Sequence, residues 1–476
     1  MSWLLVWSIV EWVIIAVMVL VILRRRFTPV TSLAWLALTF LQPVAGLVIY
    51  LFVGVSYLGR RRAKSHRLIV GGARSPQRVA KMRIHRDHPD MAPGQQNMII
   101  QAEGIGGNPI VGGNSVSLIH DAGDLVDRLV DDIDRATDHV HLLFYIYWPD
   151  SIGTKVSQAL QRAAKRGVKC RLLADSAGSR PLFRSRMADD LRKAGVELVA
   201  ALPVAPWRRR LARIDLRNHR KIAVVDGHVA YTGSHNVVEE DYGHKRAGKW
   251  VDLSARFTGP VVAQLQMVFL DDWAFETGRQ LTGPALFPPL EPTGPVWAQA
   301  VPTGPNHEAE TFRRVLVAAI NVARERIIIT TPYLVPDEPT TLALSMAIDR
   351  GAEVTIQVPE KSDHPIVAAA GRWYFEQLMD MGVSLHRYGG GMLHAKTLTV
   401  DDAFALLGSA NIDVRSFYLN FEINVLLYGD AITGQLREAQ QEYLASSRKV
   451  DPEQWHQRPI VKQYVESAAA LLSPLL

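Results

Sequence analysis

Two stretches of the chain carry the same polar signature. Residues 218 to 236, "NHRKIAVVDGHVAYTGSHN", contain His219, Lys221 and Asp226, followed by Gly233, Ser234 and Asn236. A second stretch, "LHAKTLTVDDAFALLGSANID", repeats the spacing without a gap as His394, Lys396 and Asp401, followed by Gly408, Ser409 and Asn411. By composition a single His-x-Lys-x4-Asp is expected about 0.02 times in such a chain, so two copies with one tail are a specific signal. In a strand, residues two apart share a face, which puts each histidine beside its lysine. Imidazole can act as nucleophile or as general acid near neutral pH, and lysine supplies positive charge to a phosphoryl group whose own charge grows in the transition state. Ser234, Asn236, Ser409 and Asn411 can add hydrogen bonds to phosphate oxygens. Two such halves brought face to face place a nucleophile and an acid on opposite sides of phosphorus, as in-line displacement requires.

A nucleophilic histidine also needs its second ring nitrogen held, commonly by a carboxylate. Asp252 in "KWVDLSARF" and Glu422 in "LNFEINV" each sit in an apolar strand-like run, where an unpaired carboxylate would be costly. Both are candidate orienting groups, with a strand-edge carboxylate paired to an arginine as the alternative. Asp226 and Asp401 complete the catalytic grouping in an indirect role: they fall at strand ends, where they can tie down the turn and the lysine.

The elements that must position these residues occur twice in the same order. "HVHLLFYIYW" matches "RIIITTPYLV" as a buried strand, "RGVKCRLLAD" matches "RGAEVTIQVP" as helix end plus strand, and "KAGVEL" matches "DMGVSL" as the next junction. Continuous apolar strands separated by helices predict an α/β fold with mixed sheets covered on both faces. The expected organisation is an N-terminal hairpin over 1–57, a loosely structured connector over 58–109, and two pseudo-symmetric domains over 110–290 and 291–476. The Pro- and Gly-rich segment 277–305 reads as the linker between the halves. "GIGGNPIVGGN" lacks the spacing of a nucleotide-binding loop and reads as a plain loop.

At 476 residues the chain can bury more than one core, and its net charge of +6 suits either nucleic acid or an anionic lipid surface. A single cysteine, Cys170, excludes an internal disulfide and a Cys-rich zinc site. His85 and His88 in "IHRDHPD" lack the i, i+4 spacing of common helical zinc motifs, so no metal is expected. The first 54 residues are almost continuously apolar, with runs from Trp3 to Leu23 and from Ser32 to Gly54, each near the roughly 20 residues that span a bilayer. The uncharged start and the arginines after the first run argue against a cleaved signal peptide and for two retained helices. Five Lys or Arg in "GRRRAKSHR", against Arg24, Arg25 and Arg26 between the helices, lean towards a cytoplasmic body. Glu11, inside the first run, reads as a packing contact.

The doubled signature resembles the phospholipase D superfamily over about residues 110 to 430. "DSAGSR", "DLRNHRK", "YTGSHN", "TTPYLVP", "GGMLHAK", "GSANIDVRSFYLNFEI", the terminal "LLSPLL" and the apolar hairpin together are similar to the bacterial cardiolipin synthases along nearly the whole chain. The resemblance implies two phospholipase D-like domains and a multi-pass protein of the bacterial inner membrane. It further implies that two phosphatidylglycerols become cardiolipin and glycerol through a phosphatidyl-histidine, without a cofactor or a required metal. His219 and His394 would be nucleophile and acid/base, with Lys221, Lys396, Asn236 and Asn411 around the phosphate, and the nucleophile assigned to His219. The superfamily also contains nucleases, but no nucleic-acid module is evident and none is expected as a partner. "PWRRRLARIDLR", 206 to 217, interleaves arginines with apolar residues as suits an anionic membrane surface. Phe417, Tyr418 and Phe421 could line a water-poor wall or pack the core. A hydrolytic phospholipase D, a related phosphatidyltransferase and a silent membrane scaffold remain the alternatives, and oligomeric state is left open.

Overall fold

A computed structural model of the chain describes residues 3–25, 29–54, 93–106, 108–203, 216–243, 247–305 and 310–473. The chain divides into an N-terminal helical unit and an α/β body. In the N-terminal unit the helix Trp3–Arg24 is, among the described residues, the one long and apolar enough to cross a membrane. The expected single second span is instead two helices, Pro29–Leu41 and Pro43–Val53. The break is local chemistry: Pro43 has no N–H to give, and it drives Gln42 out of helical geometry to φ −146°. Met18, Ile22 and Tyr50 close the packing between these helices, and the Trp7 indole donates to Glu11 at 2.9 Å.

In the body the strands are, in chain order, β1 Val111–Ile119, β2 His139–Phe144, β3 Lys169–Asp175, β4 Glu197–Ala201, β5 Ile222–Val225, β6 Val229–Gly233, β7 Trp250–Val251 and β8 Ser254–Thr258. They continue as β9 Val296–Thr303, β10 Arg326–Thr330, β11 Glu353–Pro359, β12 Ser384–Tyr388, β13 Met392–Leu393, β14 Thr397–Val400, β15 Phe404–Gly408, β16 Glu422–Tyr428 and β17 Ser447–Lys449. All but β7 and β13 join one sheet of 15 strands. Outward from its middle, one side runs β1-β8-β6-β5-β2-β3-β4 and the other β9-β16-β15-β14-β10-β11-β12, with β17 added at the edge. Element for element the two orders are the same. The halves meet where β1 pairs antiparallel with its own counterpart β9, Val111 opposite Ala298 and Asn114 opposite Val296.

That seam corrects two expectations. The stretch 104–114 is not a plain loop, because from Val111 it enters the sheet; Gly112 is required there, since a Cβ would meet the Trp297 ring at 2.9 Å. The segment 277–305 is linker only in part, because its last residues are β9, buried at the centre of the sheet. The connector reading also fails at its end: Pro93–Gly106 is a helix whose Met98, Ile99 and Ala102 pack into the core of the second half. Residues 55–92, with His85 and His88, and most of the basic stretch 206–217 lie outside the described residues. Helices cover both faces as expected. Val261–Thr277 and Asp430–Ala445, one from each half, share a single core that runs beneath both histidine motifs.

Asp226 and Asp401 open the turns after β5 and β14 with φ of +50° and +49°, a left-handed conformation that aspartate tolerates. Asp226 accepts the backbone N–H groups of Thr137, Asp138 and His139, and Asp401 those of Arg324, Glu325 and Arg326. Burial would raise the Asp226 carboxyl, but these amides outweigh it and hold the group below its ordinary range. Each aspartate therefore staples a hairpin turn to the start of the neighbouring strand, about 16 Å along the chain from its lysine. Asp226→Ala or Asp401→Ala should lower stability by about 1–3 kcal/mol in urea unfolding. A loss of turnover at unchanged stability would instead return these residues to the chemistry.

Candidate active site

The two histidine segments leave their own half and pair with the other. Asn218 bridges Phe421, and the His219 amide donates to the Phe421 carbonyl at 2.9 Å. In the mirrored position β13 lies parallel to β7, and the His394 amide donates to the Val251 carbonyl at 2.7 Å. Phe421 and Val251 each immediately precede a candidate carboxylate. The pairing therefore crosses: Asp252 of the first half holds His394 of the second, with Oδ1 2.6 Å from Nδ1. Glu422 of the second half faces His219 of the first, with Oε1 3.4 Å from Nδ1. In both rings Nε2 is the nitrogen left for chemistry.

Arg220 fixes this geometry from beneath. It lies between His219 and Lys221, in the extended segment just before β5, and is fully buried. Its Nε donates to the Glu422 carbonyl at 3.0 Å, one terminal nitrogen to Asp272 at 2.5 Å and the other to the Thr303 carbonyl at 2.8 Å. Asn218 donates to the second oxygen of Asp272. Nothing in the doubled pattern flagged Arg220, because its counterpart is Ala395.

The electrostatics differ between the two pairs. Burial lowers His394 to about 4, against the opposing pull of Asp252, and Lys396 adds to the lowering. Burial would raise Asp252, but His394, with His235 and Lys396, holds it far below the carboxylate range. At neutral pH the pair thus carries one negative charge, with the His394 Nδ1–H donating to ionised Asp252. His219 is pushed well below its ordinary value by burial and then by Lys221, Arg415, Lys396 and His394. Its carboxylate partner moves the other way: burial raises Glu422, which accepts from Ser409 Oγ at 2.6 Å, Ser416 Oγ at 3.2 Å and Asn420 Nδ2 at 3.3 Å. His219 is also the more open ring, 21 % exposed against 10 % for His394.

Lys221 and Lys396 are buried, and each donates to the carbonyl of its own histidine, at 2.7 and 2.6 Å. Burial lowers both, and the charge of Lys221 further lowers Lys396, so the two ammonium groups converge on one site. The remaining candidates are placed differently from expectation. Ser234 is buried and bridges the backbone of Leu253, while Ser409 is consumed by Glu422 and Ile423, so both hydroxyls brace the carboxylate strands and not a phosphate. Asn236 accepts from the Ile146 amide and points its Nδ2 towards the Tyr242 hydroxyl at 3.3 Å. Asn411 spends its Nδ2 on Asp413. Phe417 packs on Phe312 and Phe421 on Phe275, so these two are core, while the Tyr418 hydroxyl accepts from Arg313. The aromatic walls are residues the pattern did not single out: Tyr145, 4.1 Å from the His219 ring, and Trp250, edge-on to His394 at 4.6 Å and backed by Tyr242. Tyr145 lies one residue beyond β2, in a run that reads as plain buried strand.

Comparison with known proteins bears on the chain as a whole. A family model described as "Cardiolipin synthase, PLD-like domain" matches residues 129–273 and 316–443, which contain both histidines, both lysines, Asp252 and Glu422. Cardiolipin synthase A of Yersinia pestis is 37% identical over 484 residues, covering 100% of this chain and 98% of that protein. Cardiolipin synthase A of Erwinia tasmaniensis is likewise 37% identical, covering 100% of this chain and 99% of that protein. The crystal structure of phosphatidylserine synthase from Haemophilus influenzae Rd KW20 superimposes with a TM-score of 0.58 at 13% identity, over 80% of this chain and 100% of that one, a likeness of fold. With identity of this extent and both halves of the sheet matched, the chain belongs to the bacterial cardiolipin synthases of the phospholipase D superfamily, enzymes of cardiolipin synthesis.

Proposed function

We propose that this enzyme is a membrane-bound phosphatidyltransferase that condenses two phosphatidylglycerols into cardiolipin and glycerol through a phosphatidyl-histidine. The observation that carries the reading is the crossed pair of Nδ1-anchored histidines over two converging lysines. His219 is the nucleophile. Its ring stays neutral beside a carboxyl that burial raises, and it is the more open of the two. Nε2 of His219 attacks phosphorus, and the bond from phosphorus to the headgroup glycerol breaks. The anionic phosphodiester, with ionised Asp252 behind the ring, raises His394 so that it takes up a proton at Nε2, and the imidazolium gives that proton to the leaving oxygen. The now neutral His394 takes the proton of a hydroxyl on a second phosphatidylglycerol, whose oxygen attacks phosphorus and releases His219. Lys221 and Lys396 offset the charge that builds on the phosphoryl oxygens, with Asn236 and Asn411 at its rim.

We infer two crossings of the bacterial inner membrane, by Trp3–Arg24 and by the pair Pro29–Leu41 and Pro43–Val53, with the body cytoplasmic. The lean of basic residues after the second run supports this orientation. The stable anchor favours a lipid substrate over nucleic acid.

Purified enzyme with headgroup-labelled phosphatidylglycerol should yield cardiolipin and free glycerol; phosphatidic acid alone would mean a hydrolase. A phosphatidyl donor with a leaving group that needs no proton should still label His394→Ala covalently but leave His219→Ala unlabelled, and the reverse pattern would exchange the two roles. Asp252→Asn keeps an acceptor for Nδ1–H but removes the charge that raises His394. Turnover should fall by ~10²–10⁴, and the alkaline limb of the kcat profile should move to lower pH. An unchanged limb would take Asp252 out of proton transfer.

A further inference from the structure

The helix Ile460–Leu471 is built inside out. Its period puts Val461, Tyr464, Val465, Ala468, Leu471 and Leu472 on one arc, and that arc faces away from the protein: Val461 is 69 % exposed, Tyr464 70 % and Leu471 82 %. The acid of the helix faces inward instead. Glu466 is buried, accepting from Arg372 at 2.9 Å and Arg458 at 3.2 Å, and Ala469 packs with Val335, Ala369 and Ala370. A surface helix of a water-soluble body has the reverse polarity, with its apolar stripe on the core. The helix beneath, Pro365–Asp380, exposes Ile366 and, seven residues on, Trp373 on the same side. Trp373 lines one groove with Gln463 and Ser467 of the terminal helix, so the two exposed surfaces adjoin.

The chemistry of this face selects a lipid interface. Tyr464 and Trp373 are the amphipathic rings that settle at headgroup level. No acidic side chain lies on the arc, and Lys462 stands exposed at its rim; Glu376 and Asp380, in the groove beside Trp373, face His456 and Arg458, which offset their charge towards anionic headgroups. The chain also carries a helix able to cross a membrane and belongs to a family that makes a lipid, so its body works at a bilayer surface. A covalent tether alone leaves the orientation of that body free. The face is connected to the site: the helix Pro365–Asp380 begins at His364, whose ring lies 5.8 Å from Tyr333. Tyr333 packs in one cluster with Trp250, which lies against His394.

We propose that the outward face of Ile460–Leu471, with Ile366 and Trp373, is a second membrane contact, seated in the headgroup layer of an anionic bilayer. It sets the histidine rim at the level of the lipid phosphates. The contact is independent of which lipid donates the phosphatidyl group.

Cys170 is buried, so one added cysteine can be labelled alone in the full chain. Bimane on Tyr464→Cys or on Leu471→Cys, in vesicles of phosphatidylglycerol and phosphatidylethanolamine, should be quenched several-fold more by lipids spin-labelled near the headgroup than bimane on Glu453→Cys, an exposed control. Iodide should reach the first two probes several-fold less than the control. Free access to iodide without lipid quenching would overturn the proposal. So would protection from both quenchers, which would mean that protein covers the face. Two reporter positions guard against a local disturbance at either one.

Discussion

A buried guanidinium, together with the strand seam, holds the two halves in register. Arg220 sits between the histidine and lysine of the first motif, and it binds Asp272 of its own half and the carbonyls of Thr303 and Glu422 from the other. A buried charge is costly unless geometry and partners are complete, and losing one partner of such a pair is far worse than never having built it. Here the cost falls beneath the crossed histidine pairs. The Glu422 carbonyl that Arg220 holds belongs to the residue facing His219, so the position of one half's carboxylate depends on an arginine of the other. The crossed histidine pairs, the converging lysines and the shared core under them all require that register.

Scaffold symmetry and site symmetry part company at this level. The strand order of the halves is identical, yet Arg220 is matched by Ala395, Glu422 by Asp252, and the tight 2.6 Å contact of one histidine by a 3.4 Å contact of the other. Two equal histidines would compete for one proton. Two unequal ones, one beside an ionised carboxylate and one beside a carboxyl raised by burial, differ in their electrostatics before substrate arrives.

The residue types of the site were legible in the sequence, and so was the duplicated α/β order, because motif spacing and apolar periodicity are local properties. The partnership between them was not. Asp252 follows His219 in the chain but touches His394, since a parallel pairing of two-residue strands is too short to leave a pattern. Ser234, Ser409, Asp226 and Asp401 share the spacing of the motif, yet their oxygens are spent on backbone amides, on carbonyls or on Glu422. Repeated spacing marks conserved geometry between the halves and does not separate the residues that brace a site from those that react in it. Pro43 breaking the second apolar run and Val296–Thr303 entering the sheet follow from single-residue constraints and long-range pairing, which hydropathy averages away.

The seam between β1 and β9 has a further meaning. An antiparallel contact between equivalent strands is what a two-fold axis produces when a surface meets itself. Each half presents the patch that the other needs, and each lends its carboxylate to its neighbour's histidine. The architecture is that of a closed homodimer whose two subunits have been joined into one polypeptide. Within a true homodimer any substitution appears twice, so Arg220 could never have faced alanine across the axis. Fusion removes that restriction, and a site of two identical halves becomes free to acquire a direction.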